Sequence, residues 1–152
     1  MNHYKRGMTA VEIMVVIAVL GVLLMIVIPQ FSNIRENQVL KSTVADVLSS
    51  IDKARAETLS SLNSSQYGVY FQSDKIVIFK GTSYSALDTT NNEITSITAP
   101  ANISNISLLN SGSNVYFNRL TGAPNTTGTV TISSTHYSKI VTIYATGVVS
   151  SN

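Results

Sequence analysis

The chain has no cysteine. That excludes a disulfide framework, a thiolate nucleophile and any Cys-based zinc site. An exported domain of this composition must therefore hold together by its core alone. Charge is sparse as well. Ten basic and eight acidic residues give a formal +2, and without Lys5 and Arg6 the balance is eight against eight. A nucleic-acid binder usually carries a strongly basic patch, so nucleic acid is not the expected partner. Histidine is limited to His3 and His136. His136 stands in SSTHYSK, which has the composition of a surface turn. Serine is plentiful, yet nothing marks an orienting acid or a positioned nucleophile for a triad. Asp88, Asn91, Asn92 and Glu93 in DTTNNE offer oxygen atoms of the kind Ca²⁺ takes, but without the spacing of a binding loop. A polar turn is the simpler account. The expectation is a non-enzyme without a cofactor.

What is present is one long apolar run. Ile13 to Ile28 is sixteen residues without a polar side chain, and counting back to Met8 adds only Thr9 and Glu12 as polar positions. At ~1.5 Å rise per residue, residues 8–28 reach about 31 Å as a helix, close to the thickness of a bilayer's hydrocarbon core. Val and Ile dominate, as they do in strands, but no strand of a small domain is that long. A secretory signal peptide is the rival, with Lys5 and Arg6 as its basic region. The run is too long for one, and Pro29-Gln30-Phe31 follows it where a small-x-small cleavage site would be needed. The basic residues place the N-terminus on the cytoplasmic side of the inner membrane and the remainder outside.

Residues 30–62 have helical period. Leu40, Val44, Val47, Leu48, Ile51, Leu59 and Leu62 share one face, and Arg35, Glu36, Lys41, Asp46, Asp52, Lys53, Arg55 and Glu57 mostly cover the other. A helix with a membrane half over 8–29 and an amphipathic half over 30–62 is expected, with a kink at Pro29. Residues 63–152 differ in character. Ser, Thr, Asn and Tyr replace charge, and YGVYF, KIVIFKG, EITSIT, ISNISLL, NVYFNR, GTVTIS and KIVTIYATGVV are candidate strands. QSD, NSGSN and TGAPNTTG are turn signals between them. The expected class is α+β, the helix's apolar face packed on a small antiparallel sheet.

Glu12 is the anomaly. One account makes it an interfacial carboxylate near the helix start, where the dipole favours negative charge. The other begins from the cost of a few kcal/mol for a carboxylate in hydrocarbon, which calls for a partner. If the chain were cut after Gly7, the new ammonium on Met8 would lie one turn from Glu12. The ammonium of one copy would then meet Glu12 of an axially offset neighbour.

KRGMTAVEIMVVIAVLGVLLMIVIPQF resembles the N-terminal signature of type IV pilins and type II secretion pseudopilins. That family has a short basic leader ending in glycine, a glutamate fifth in the mature chain, about twenty apolar residues and a proline at mature position twenty-two. Gly7, Glu12 and Pro29 fill those places, and Met8 stands where the family most often has phenylalanine. The closing region, from KARAETLSSLNSSQYGVYF to KIVTIYATGVVS, resembles in pattern the GspH/FimT-type minor pseudopilins. The resemblance implies a pilin-like fold and a leader over 1–7 removed by a prepilin peptidase. It also implies N-methylation of Met8 and a structural role in a secretion pseudopilus or a pilus-like filament. The implied partners are other pilin-like subunits, the membrane assembly platform and the lipid bilayer. Two alternatives stand beside it: a DNA-binding minor pilin, and a membrane-anchored sensor or enzyme. Residues 63–152 hold only Lys75, Lys80, Arg119 and Lys139 as cations, which speaks against the first.

Processing is directly measurable. In cells containing the peptidase, mass spectrometry of membrane-extracted protein should find a chain beginning at Met8. A bulky residue at Gly7 should block the cut, and a wild-type chain that still starts at Met1 rules the leader out.

Overall fold

The computed structural model describes residues 8–110 and 112–152, excepting the side chains of 28–30 and 32. The expected leader, including Gly7, lies outside the described residues, and Pro29, where a kink is expected, falls inside a single helix, Ala10–Leu59, with its side chain undescribed. The chain divides into two compact units, Met1–Arg35 and Glu36–Asn152. The first contains the apolar part of helix α1 (Ala10–Leu59). Its span Ala10–Val27 is long and apolar enough to cross a membrane, and none of it is buried within the chain.

The second unit is α+β. A short 3₁₀ turn, Leu62–Ser64, follows α1. Among the described residues eight strands come next: β1 (Tyr67–Phe71), β2 (Lys75–Lys80), β3 (Glu93–Ser96), β4 (Asn102–Leu108), β5 (Asn114–Tyr116), β6 (Gly128–Ser133), β7 (Ser138–Ile143) and β8 (Val149–Ser151). They form two four-stranded sheets, in the orders β3-β2-β1-β5 and β4-β6-β7-β8, where the sequence suggested one. Every pairing is antiparallel. KIVTIYATGVV is not one strand but two. Gly147 takes φ +80°, and the Tyr144 and Val148 backbones bond across the turn at 3.0 Å. A left-handed residue of this kind ends a strand at small cost only when it is glycine.

One core joins helix and sheets. From α1 it takes Leu40, Val44, Val47, Ile51 and Ala54, a seam with spacings of four and three. Sheet residues Val69, Phe71, Ile76, Ile78, Val115 and Phe117 face it from the first sheet, and Val130, Ile132, Val141 and Ile143 from the second. The seam differs from the sequence expectation in three ways. Leu59 and Leu62 are exposed: Leu59 falls off this line of fours and threes, and Leu62 lies beyond the end of α1 in the following 3₁₀ turn. Thr58, four residues beyond Ala54, continues it and is fully buried. Glu36, four residues before Leu40, begins it and is buried too, so it does not belong to the polar side.

Thr58 shows how a polar group earns a core position. Its Oγ1 donates to the Ala54 carbonyl at 2.8 Å and accepts the Tyr67 N–H at 2.9 Å, tying the end of α1 to the start of β1. The first sheet is covered on its far side as well. Val77 and Phe79 are buried there, where Tyr84, from the segment after β2, stacks on Tyr70 at 4.1 Å and meets Phe79 edge-on at 6.0 Å. Gly68 is confined between strands: a Cβ would come within 2.6 Å of both the Phe79 ring and the Val115 carbonyl oxygen. The far side of the second sheet carries Thr129, Thr131, Ser133 and Thr142, all half-buried at most.

A chain beginning at Gln30 should therefore be soluble and unfold cooperatively, with a mixed helix and strand circular dichroism spectrum. In it, Thr58→Val should lower stability by about 1–3 kcal/mol, because the Tyr67 N–H loses its acceptor. Thr129→Val on the open sheet face should change it by less than about 0.5 kcal/mol. Chemical denaturation of the two variants checks both values.

Candidate functional site

The feature that stands apart is the N-terminal surface of α1. Met8, Val11, Ile13, Met14, Val15, Val16 and Ile17 are exposed, and the pattern continues through Val27 and on to Phe31 and Ile34. Nothing within the described chain covers them. A soluble surface rarely leaves an apolar patch of that extent open unless something else binds it.

The helix start explains part of Glu12. Thr9 precedes the first helical residue, and its Oγ1 accepts the Glu12 N–H at 3.2 Å. Thr9-Ala10-Val11-Glu12 is thus a Thr-x-x-Glu capping sequence, with the carboxylate in the first turn where the dipole favours it. The pattern was visible in the sequence and was not used there. Among the described residues the Glu12 carboxylate has no ion-pair or hydrogen-bond partner. Met8 is exposed one turn away. Gly7 lies outside the described residues, as does the Pro29 side chain.

In the second unit the residues singled out by sequence are used locally. Asp88 receives the Asn91 side-chain amide at 2.9 and 3.0 Å, and Asn92 donates to the Ser85 carbonyl at 2.8 Å. Glu93 is held by Lys53 at 2.6 Å. The loop thus fastens on itself and on α1, and no group of three or more His, Asp or Glu side chains converges among the described residues. An open cleft of about 630 Å³ is lined by Ser61, Gln66, Asn118, Arg119, Leu120 and Thr121. Arg119 is its one ionisable lining group, so it offers no acid–base pair. The other cations of the β-rich region sit on separate elements, Lys75 and Lys80 at the two ends of β2 and Lys139 on β7.

His136 does lie in the β6–β7 turn, but it is not idle. Its backbone N–H donates to Glu36 Oε1 at 2.8 Å, and its Nδ1 lies 3.0 Å from Glu36 Oε2. This clasp fastens the first residue of the globular unit to a turn one hundred positions later. The hydrogen bond from the His136 side chain, assisted by its backbone N–H and the Ser134 hydroxyl, holds the Glu36 carboxyl down to about 2 against the opposing effect of burial. No local signal marks the pair. Only the seam spacing, Glu36 four residues before Leu40, hints that the carboxylate points inward.

Comparison with family models, curated proteins and solved structures finds no match to this chain.

The sign of the Glu36 effect follows from linkage. A carboxyl whose folded pKa lies below its unfolded value stabilises the fold fully above about 4.5, and that contribution is lost as the pH falls toward 2. Glu36→Gln should lower the melting temperature at pH 7 and flatten the decline between pH 4.5 and 2. Thermal melts of the fragment from Gln30 at stepped pH test this. Parallel curves for parent and variant would mean that the clasp contributes nothing.

Proposed function

We propose that the chain is a structural subunit of a pilus-like filament, a minor pilin or type II secretion pseudopilin in kind. The observation that carries this reading is the combination at the start of α1: a carboxylate, with no partner among the described residues, at one end of an apolar helical span, Ala10–Val27, that nothing in the described chain covers. An apolar helix of this length fits a bilayer. It also fits a bundle of like helices, which is where a buried carboxylate finds a cation.

The steps follow from the chemistry of the ends. The prepilin peptidase removes residues 1–7, exposing the amine of Met8, which is then methylated. The helix holds the subunit in the inner membrane with residues 36–152 outside. On assembly the helix leaves lipid for the filament, and the Met8 ammonium of one subunit pairs with Glu12 of its neighbour. That pairing selects one axial register, because a slip leaves two charges unpaired in an apolar bundle. Within the globular unit, α1 also presents small exposed residues at Ser42, Ala45, Ser49, Ala56 and Ser60. Small side chains at spacings of three, four and seven let a neighbouring helix come close. Platform and subunit contacts, rather than catalysis, are the work of such a chain.

Glu12→Gln separates register from anchoring. Insertion should survive, since a neutral amide is easier to desolvate than a carboxylate. Cleavage should survive too, because Gly7 and the basic pair are unchanged. Incorporation should fall by about 100-fold or more, the equivalent of roughly 3–5 kcal/mol for a buried ammonium left alone. Crosslinking to pilin-like subunits is the readout, with membrane level and N-terminus measured in parallel. A variant that is cleaved normally and assembles like the parent would show Glu12 to be an interfacial anchor only.

A further inference from the structure

Each sheet of the globular unit ends in an open strand beside α1. Strand β8 pairs only with β7, and β3 only with β2. Among the described residues, no backbone bond leaves the outer edge of either strand. Such edges are templates for another chain unless something blunts them. Neither carries a proline, a bulge or a lysine within the strand.

The two edges flank opposite sides of the helix. On one side, Lys41, Val44, Ala45 and Leu48 of α1 form a groove of about 280 Å³ with Lys139 and Ser151. On the other, Asp46, Ser49, Ser50 and Lys53 form one of about 240 Å³ with Glu93 and Thr95. Their charges are opposite. Lys41 and Lys139 have no ion pair among the described residues, and nor does Asp46. Lys53 is the single cation of the acidic groove, and Glu93 already holds it. Further along the first side, Arg55 is bound by the Gly122 and Thr146 carbonyls; on the other, Glu57 lines a cleft together with Glu93. Two β8 edges facing each other would oppose lysine to lysine. A β8 edge facing a β3 edge opposes lysine to carboxylate.

We infer that copies of this chain join head to tail, the β8 edge of one adding to the β3 edge of the next, with Lys41 and Lys139 set against Asp46 and Glu93. Such a joint is heterologous and leaves one edge of each kind open, so it propagates instead of closing into a dimer. It rests on the filament reading and adds to it: several copies stand side by side, in place of a single capping subunit. A contact of three or four residues is weak between free molecules. It becomes effective once anchored helices raise the local concentration. Residues Ser150 and Ile94 lie on the outward faces of β8 and β3, one full strand spacing apart in a paired joint.

The absence of native cysteine makes the test clean. Two differently tagged full-length chains, Ser150→Cys and Ile94→Cys, are co-expressed with the assembly machinery and oxidised in membranes. The mixed disulfide should exceed either homodimer. Asp46→Lys in the Ile94→Cys copy should lower its yield about fivefold, and Lys41→Glu in the other copy should restore it. In parallel, Ser42→Cys chains treated with a flexible bismaleimide report helix neighbours in the filament. Helix crosslinks with the mixed disulfide at homodimer level overturn the joint and leave the filament reading standing. A mixed disulfide indifferent to the charge combinations also overturns it. Loss of both crosslinks overturns joint and filament together.

Discussion

The apolar N-terminal part of α1 has nowhere in its own chain to be buried. Every large side chain from Met8 to Val27 that the structure describes is exposed, and at about 25 cal/mol per Å² of apolar surface water is not a state in which it can rest. The rest of the molecule accommodates that constraint. Among the described residues, the globular unit completes its core without drawing on residues 8–35, which leaves the apolar surface of that stretch open. A fold that used the apolar run for its own core would have buried it.

Polar fastenings to α1 help the globular unit close its core. Glu36 bonds to His136 at the start of the seam. Thr58 bonds to Tyr67 at its end. Arg55 reaches the Gly122 and Thr146 carbonyls at 3.0 and 3.2 Å, so one side chain holds two loops against the helix. Glu36 and Arg55 each make two bonds from a helix position to loops distant in sequence. A chain without disulfides gains from them the long-range ties that cysteine would otherwise supply.

What the sequence made legible was whatever repeats locally. The apolar run, the amphipathic period and most strands could be placed because side-chain pattern and backbone period coincide. The division into two sheets could not, because alternation marks strands without saying which pair. The break between β7 and β8 depends on Gly147 sitting against Gly122, where a Cβ would approach within 2.2 Å of a carbonyl oxygen; nothing in ATGVV shows that neighbour. Buried Glu36 and Thr58 were missed for a different reason. They satisfy the seam spacing but violate the polarity rule, and Glu36's partner lies 100 residues away and Thr58's nine. At the candidate site, Glu12 was found by its cost, while the Thr9 cap beside it was overlooked although four consecutive residues spell it.

The position of the Glu36 clasp has a mechanical meaning. Glu36 is the residue at which α1 enters the globular unit. A pull transmitted along the helix arrives there first, before it reaches Leu40 or Val44. The seam beyond is loaded in shear, so its side chains resist together instead of peeling one by one. The clasp stands at the end where peeling would begin. It couples the first turn of α1 within the globular unit to the β6–β7 turn, and through β6 and β7 to the second sheet. A unit built this way spreads tension over its sheet hydrogen bonds, and it should yield abruptly under load, with little creep beforehand.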